Sequence, residues 1–373
     1  YPVRPPHWFR SQAGVSDEPP APFGPVTDGY DVCGRRYALG EGPVFSQIEA
    51  LRKPLLAGPM RLVSPSAVTG EVKTEYDGFA RFDWTVKPHP GQSTLEGLVL
   101  EIPLLPEVAR YLYTWPNAYS RQLQADYESA FQPIVWLGDE EKGLSWLCES
   151  DENWRPADPQ RAVQVLRGER ETVLRVTFVD QPVPLRDEGL RYTFALQATP
   201  VRPPGRDTWD QRIYADTWCA EGLGLPQRQA NGMPALQWYA KKGVRAVVIV
   251  RWWEAFAYTS PIGHEEEFRE LVRACHAVGI KVLPYVGGFI LSELAPEAAF
   301  AKVEMVKQPL VNYPVRAPNL TPQRGFVACP QGSWQDFLAD GIARLIDEYD
   351  VDGVYLDSSA SPRPCRNELH GCG

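Results

Sequence analysis

The pattern of apolar residues changes near residue 200, and this change limits the possible folds more than any other feature of the sequence. Between residues 30 and 200, short segments alternate apolar and polar residues with a period of two, as at residues 79–86 and 173–179. Turn residues separate these segments, and period-two alternation is typical of half-buried antiparallel strands. We therefore predict an N-terminal antiparallel β-sandwich over residues 30–200.

A proline-rich linker at residues 201–212 precedes a different pattern, in which apolar strands alternate with amphipathic helices. One predicted helix has the apolar face Phe268, Leu271, Val272 and Cys275. Alternating strands and helices predict a parallel sheet, either a (β/α)₈ TIM-type barrel or an open doubly wound sheet. The predicted strands lie near residues 213–218, 244–250, 280–286, 325–329 and 351–357.

Residues 213–373 are too few for a complete barrel, which typically needs about 250 residues. We therefore expect the first half of a (β/α)₈ catalytic domain, with the chain stopping inside the barrel. A fragment of this kind is expected to be inactive alone. Residues 1–29 are rich in proline and poor in periodic apolar positions, which predicts an extended arm.

Composition excludes several functions. The net charge of −9 and the pI near 5.3 argue against a nucleic-acid or anionic-membrane surface. The sequence has no apolar run of about 18 residues that would span a membrane. It has neither a glycine-rich phosphate loop nor a GxSxG motif, so we predict no cofactor. The 12 Trp and 16 Tyr residues suit a carbohydrate ligand but also a large β protein. The oligomeric state stays open, as does the compartment, although we favour a secreted or periplasmic location.

Two acidic residues follow predicted strands and are our candidate catalytic residues, Glu254 and Asp357. Ligands of parallel α/β sheets bind beyond the carboxyl ends of the strands. A helix with a predicted Ser333–Asp336 capping box precedes the Asp357 strand. Cleavage of a glycosidic bond needs paired carboxylates of this kind. The alternative is that Asp357 only caps the loop that follows it.

Aromatic and basic residues near the same strand ends are candidate substrate-binding residues. The alternative is that the tryptophans pack between helices and sheet, and that the arginine forms an ion pair. The candidates are Arg251, Trp252, Trp253, Tyr285 and Trp334.

The C-terminal segment contains three soft metal ligands, Cys365, His370 and Cys372, and Cys329 is a candidate fourth ligand. The spacing lacks a CxxC pair, and a disulfide or reduced packed thiols explain these residues equally well. We therefore predict no metal site and keep these residues as weak candidates for zinc.

Several segments together resemble the glycoside hydrolase family 123-like proteins, which are large bacterial proteins. They are residues 136–140, 143–146, 149–154, 281–285, 352–357 and 365–373. The resemblance implies a β-sandwich followed by a catalytic (β/α)₈ barrel. It also implies an N-acetylhexosaminidase that uses the acetamido group of the substrate as nucleophile, assisted by an adjacent Asp-Glu pair. Here Asp357 is followed by Ser358 rather than by Glu.

We therefore predict a glycoside hydrolase that acts on an oligosaccharide or glycan. Two alternatives remain. One is a non-catalytic carbohydrate-binding protein with an incomplete pair of acids, and the other is a zinc-dependent hydrolase.

Overall fold

The computed structural model describes residues 5–26, 31–64, 66–116, 120–205, 208–216, 222–250, 254–316, 321–357 and 364–372. The chain forms two compact units. The β unit consists of Asp17–Gly205, and the α/β unit combines Tyr1–Ser16 with Arg206–Gly373. Within the described residues, no helix is both long enough and apolar enough to cross a membrane.

The β unit is built almost entirely from short strands. They are β1 (Arg35–Leu39), β2 (Phe45–Ala50), β3 (Lys53–Pro54), β4 (Arg61–Val63), β5 (Ala67–Thr74), β6 (Phe79–Lys87), β7 (Thr94–Leu95), β8 (Leu98–Leu104), β9 (Tyr111–Trp115), β10 (Ser120–Gln122), β11 (Tyr127–Ser129), β12 (Ile134–Gly138), β13 (Gly143–Leu147), β14 (Val163–Arg167), β15 (Thr172–Val179), β16 (Val183–Pro184) and β17 (Leu190–Thr199).

Two antiparallel sheets dominate this unit. The larger has the order β10-β9-β12-β13-β17-β6-β5, and the smaller has the order β11-β14-β15-β8-β4. Alternate residues of β6 point inward, as the period-two pattern predicts. Residues of both sheets contribute to one hydrophobic core, which is how two sheets bury their apolar faces.

Aromatic rings fill the centre of that core. Phe82 stacks on Phe194 at a centroid distance of 4.6 Å, and Trp146 stacks on Phe194 at 4.7 Å. Trp84 and Phe178 pack against the same group. These rings are almost fully buried. Much of the aromatic content therefore serves packing, and composition alone is no evidence for sugar binding.

The β12–β13 hairpin contains residues 136–140 and 143–146, two of the segments that resemble glycoside hydrolase family 123-like proteins. Its structure explains the glycines in these segments. The Trp136 ring lies over Gly138 and Gly143, and its Nε1 donates to Thr199 Oγ1 at 3.0 Å. A Cβ atom at Gly143 would lie 2.6 Å from the Leu137 carbonyl oxygen and 2.7 Å from the ring. These glycines are needed because the indole leaves no room for a side chain.

We predict that Gly143→Ala lowers the free energy of unfolding of the β unit by about 1–3 kcal/mol, the usual cost of overpacking. The backbone and the ring that the new methyl group meets are both fixed by strand pairing. Chemical denaturation measures the loss, and Ser145→Ala on the same strand is the control. A Gly143→Ala protein as stable as the control would contradict this packing account.

The α/β unit contains longer helices. Its elements are β18 (Arg212–Asp216), β19 (Gln229–Ala230), β20 (Met233–Pro234), α1 (Ala235–Lys241), β21 (Val244–Ile249), α2 (Glu265–His276), β22 (Lys281–Gly287), β23 (Ile290–Ser292), α3 (Ala298–Glu304), β24 (Asn312–Val315), β25 (Gln323–Val327), α4 (Trp334–Tyr349) and β26 (Tyr355–Asp357).

Four of these strands form a parallel sheet in the order β18-β21-β22-β26. The prediction that residues 325–329 add another parallel strand was wrong. Strand β25 instead lies between β23 and β24 in a separate antiparallel sheet. The parallel strands lie in sequence order, without the reversal that a doubly wound sheet shows at its switch point, and a (β/α)₈ barrel stays a prediction.

Strand β26 is shorter than the predicted strand 351–357. Asp350 has a left-handed conformation with φ 57°, and Gly353 has φ 153°. The Asp352 carboxylate accepts a hydrogen bond from the Val282 backbone N–H at 2.8 Å. The Asp352 backbone N–H also donates to the Val282 carbonyl oxygen at 3.2 Å, so Asp352 makes the first attachment to β22, and regular strand pairing begins at Tyr355.

The predicted capping box does not form. Ser333 is the N-cap of α4 with φ −66° and ψ 6°, and its side chain makes no cap hydrogen bond. An N-cap side chain reaches the first free N–H groups from an extended backbone, which Ser333 does not have. Asp336 instead accepts from the Arg10 backbone N–H at 2.8 Å.

Part of the predicted N-terminal arm belongs to the α/β core. Trp8 is 1% exposed and packs edge-on against Phe300 and Phe337. The Ser11 hydroxyl also donates a hydrogen bond to the Asp340 carboxylate. The proline content predicted an extended arm, and it gave no sign that one tryptophan would anchor the segment.

Candidate functional site

The parallel sheet of the α/β unit presents different side chains on its two faces. Val247 and Ile249 of β21 join the large core that contains the helices. Val248 and Tyr285 join a smaller apolar cluster with Phe256 and Ile290. Side chains alternate along a strand, so this second cluster marks the face of the sheet that carries the candidate site.

Asp357 lies at the carboxyl end of β26, on the face that carries Tyr285. The Tyr285 hydroxyl donates to Asp357 Oδ2 at 2.7 Å. The backbone N–H of Gly288 donates to the Asp357 carbonyl oxygen at 2.8 Å, which fixes the end of the strand. Tyr285 therefore holds Oδ2, and no described residue donates a hydrogen bond to Oδ1.

Tyr355 adds an aromatic surface that the sequence reasoning missed. Its ring stacks on Tyr285 with a centroid distance of 5.8 Å and an interplanar angle of 22°. Tyr355 is 46% exposed, whereas Tyr285 is buried. Its position two residues before Asp357 was the available signal, because residues i and i+2 of a strand share a face.

The Tyr285 hydroxyl remains protonated at neutral pH. Burial raises the pKa of this phenol well above its usual value, and the hydrogen bond and negative charge of Asp357 raise it further. The contact therefore joins a neutral donor to a carboxylate acceptor. Charge-assisted bonds of this kind are stronger than bonds between neutral groups, so Tyr285 orients Asp357.

Glu254 follows β21 but is exposed, and its Oε2 accepts from Thr321 Oγ1 at 2.8 Å. In the described part of the chain, no hydrogen bond joins Glu254 to Asp357. Gly287 of β22 links the two regions through its backbone. Its N–H donates to the Ala257 carbonyl oxygen at 3.2 Å, and it pairs with Asp357 of β26. The two predicted acids thus lie at the ends of strands that β22 separates, and only Asp357 is held by an aromatic partner.

Buried Gln323 fixes the loop that carries Glu254, a role that no pattern in the sequence indicates. Its Nε2 donates to the Glu254 carbonyl oxygen at 2.9 Å, while its Oε1 accepts from the Phe256 N–H at 2.8 Å. The same Oε1 accepts from the Ser292 hydroxyl. A satisfied buried amide of this kind rigidifies the loop.

Trp334 does not line a substrate surface. It is 3% exposed, packs against Phe337 in the large core, and donates from Nε1 to the Gly288 carbonyl oxygen at 2.8 Å. Trp334 is the first residue of α4 and faces the sheet, so its ring packs in the core and is not exposed to a substrate. Its contact with Gly288 instead supports the loop beside Asp357. Arg251, Trp252 and Trp253 lie outside the described residues.

The four soft ligands form a separate cluster. Cys329 follows β25, and Cys365, His370 and Cys372 belong to the C-terminal segment 364–372. One ligand atom from each of the four residues lies within 4.8 Å of the others. The sequence analysis named these four residues as weak zinc candidates but predicted no metal site, because their spacing does not show that they meet in the fold.

Comparison with known families gives one match. A family model described as "Domain of unknown function (DUF6259)" matches residues 215–372. No curated protein matches the chain significantly. The resemblance to glycoside hydrolase family 123-like proteins stays a prediction.

Several solved structures are distantly similar. An α-galactosidase from Thermus thermophilus is 13% identical with a TM-score of 0.36, over 74% of this chain and 61% of its own. An α-galactosidase from Lactobacillus brevis is 12% identical with a TM-score of 0.36, over 97% and 61%. An α-N-acetylgalactosaminidase from Bifidobacterium bifidum is 11% identical with a TM-score of 0.38, over 92% and 72%.

The chain spans about three fifths of the length of the two α-galactosidases. TM-scores this low assign neither a fold nor an activity to it.

Proposed function

We propose that the protein is a glycoside hydrolase that acts on an oligosaccharide or glycan, with Asp357 at the reacting bond. The observation that carries this proposal is the Tyr285–Asp357 contact of 2.7 Å at the end of a parallel strand. Strand ends of parallel sheets are where α/β enzymes place catalytic residues. The sequence resemblance adds support, because it includes the segment that contains Asp357.

The chemistry assigned to Asp357 follows from its contacts. A carboxylate whose Oδ2 is held by a phenol has its second oxygen positioned beside the sugar. It then attacks the anomeric carbon, or holds the water or acetamido group that attacks. The exposed Tyr355 ring offers a flat apolar face to a sugar ring. Glu254 is the acid proposed to protonate the leaving oxygen, and N-acetylhexosamine is the substrate class that the resemblance implies.

A second candidate is a carbohydrate-binding protein without catalysis. The observation that favours it is that Glu254 bonds to Thr321 and, among the described residues, has no contact with Asp357. Glycosidic bond cleavage needs two carboxyl groups at a defined separation. Under this alternative, Asp357 accepts hydrogen bonds from a sugar, and the exposed ring of Tyr355 stacks on it.

The test combines binding and turnover on the full-length protein as its gene encodes it, using nitrophenyl hexosides and N-acetylhexosaminides of both anomers. We expect release of nitrophenol and a fall of about 10²–10⁴-fold in kcat for Asp357→Asn, the usual worth of one acid–base group. Tyr285→Phe is expected to lower kcat by at least about tenfold, because it removes one charge-assisted hydrogen bond.

Asp347→Asn is the matched control, because it makes the same chemical change at an exposed position on α4. Sugar binding without turnover would replace the proposal with the second candidate. Turnover that is equal in Asp357→Asn and the control would reject the role of Asp357, and neither binding nor turnover would reject both functions.

A further inference from the structure

The four soft ligands have the geometry of a tetrahedral ion site. Cys329 Sγ and Cys372 Sγ are 3.8 Å apart, and Cys365 Sγ lies 3.8 Å from His370 Nδ1. A tetrahedral ion with bonds of about 2.3 Å to sulfur holds two sulfurs about 3.8 Å apart. We propose that Cys329, Cys365, His370 and Cys372 bind one Zn²⁺ ion, which fastens the C-terminal segment 364–372 to the α/β unit.

The imidazole of His370 is set for this role. Its Nε2 lies at hydrogen-bond distance from the Glu304 carbonyl oxygen, and a carbonyl oxygen only accepts, so Nε2 carries the proton. Asn367 Nδ2 is also near Nε2, but it donates to the Val303 and Val306 carbonyl oxygens. The Nδ1 lone pair is therefore free for a metal. Zinc-binding histidines usually donate their other N–H to a carbonyl or carboxylate in this way.

Backbone N–H groups surround the cysteine sulfurs. Cys365 Sγ accepts from the N–H groups of Gln308 and Asn367, each at 3.4 Å. The N–H of Gln331, two residues after Cys329, bonds to that sulfur in the same way. Donors of this kind stabilise negative charge on sulfur, which a metal-bound thiolate requires.

Binding of an ion to this cluster would release protons. A cysteine binds zinc as a thiolate, so each of the three thiols that binds loses its proton to solvent.

The C-terminal segment has few other means of attachment. Among its described residues, Asn367 alone is buried, and Leu369, its only large aliphatic side chain, is 64% exposed. Hydrophobic burial therefore contributes little to holding it. Asn367 donates to the Val303 and Val306 carbonyl oxygens, and the Arg366 N–H donates to the Gln308 carbonyl oxygen at 2.8 Å, but the net contribution of such bonds is only about 1 kcal/mol each. A structural ion supplies the missing attachment, as in small domains with little core.

Two alternatives for the cluster predict different chemistry. A catalytic zinc keeps one coordination position open for water, whereas four protein ligands close the site. This argues against the zinc-dependent hydrolase considered from sequence. A Cys329–Cys372 disulfide would need a sulfur–sulfur distance of about 2.05 Å rather than the observed 3.8 Å.

The test uses the reduced whole chain, supplied with Zn²⁺ and dialysed, with metal content measured by mass spectrometry. We expect about one zinc per chain, and Co²⁺ in its place should give the intense visible bands of a tetrahedral thiolate site. The Cys365→Ser, Cys372→Ser double variant should lose the metal, whereas Cys33→Ser in the β unit should keep it. The wild-type measurements stand even if the double variant fails to fold.

Three results would overturn the proposal. They are a wild-type chain that retains no zinc, a double variant that retains as much zinc as Cys33→Ser, and the weak Co²⁺ bands of a six-coordinate site. An intact mass showing a Cys329–Cys372 disulfide in the purified protein would also reject it.

Gly332 gives an independent prediction that leaves all four ligands in place. A Cβ atom there would lie 3.0 Å from His370 Nε2 and 2.8 Å from the Glu304 carbonyl oxygen. Gly332→Ala therefore crowds the hydrogen bond that orients the imidazole. We expect it to weaken zinc affinity by about 10–100-fold, the usual effect of losing such a support. Competition with a chromophoric chelator measures this, and an unchanged affinity would contradict the role of the Glu304 contact.

Discussion

Withdrawal of zinc is expected to lower the free energy of unfolding of the α/β unit by about 4 kcal/mol, relative to protein held at free zinc 1000-fold above its Kd. An ion that binds only the folded state stabilises by this mass-action term. The four ligands join residue 329 to residues 365–372, so they do not form one site in the unfolded chain. Urea denaturation with and without a chelator measures the difference.

The β unit supplies an internal control for this experiment, because it contains none of the four ligands. Its unfolding midpoint should not move when zinc is withdrawn. Hydrogen exchange separates the two responses, and the expected loss of protection falls on residues 303–308, 329–332 and 364–372. Equal protection of these segments with and without zinc would contradict a structural role for the ion.

Replacement of Trp8 by alanine is expected to lower the free energy of unfolding of the α/β unit by about 3–5 kcal/mol, the range for removing a buried large aromatic side chain. Trp8 is 1% exposed and contacts Phe300 and Phe337. Its loss leaves a cavity between α3 and α4 and releases the N-terminal segment. Chemical denaturation measures the change in stability.

Val15→Ala is the control for Trp8→Ala, because Val15 belongs to the same segment and is 69% exposed. It should change stability by less than about 0.5 kcal/mol. Limited proteolysis adds a second measurement, since Trp8→Ala should expose residues 5–16 to cleavage. A Trp8→Ala protein as stable as Val15→Ala would show that the segment is not part of the core.

Local patterns in the sequence predicted the regular elements well. Strand β21 was expected at residues 244–250 and spans Val244–Ile249, and the apolar face predicted for α2 is buried. These features depend on periodicity, which the sequence displays directly. The separate sheet of β23, β24 and β25 could not be predicted, because β23 pairs with β25 across α3 and β24, which periodicity does not show.

The candidate site was only partly predictable for a similar reason. Asp357 was located from its position after an apolar strand, but its partner Tyr285 belongs to a different strand. Trp334 was misassigned because an aromatic residue at the start of a helix faces either solvent or core, and only packing decides between them. Cys329 joins the C-terminal ligands across a tertiary contact that no local spacing encodes.

The position of β26 has a consequence for how the protein behaves at high concentration. Among the described residues, β26 pairs with β22, and these residues provide no partner strand along its other edge. Natural edge strands resist association by being short and by carrying charge. Asp357 supplies a charge on this three-residue strand. Its replacement by asparagine therefore removes protection against self-association, and aggregation of that variant would reflect lost colloidal stability rather than misfolding.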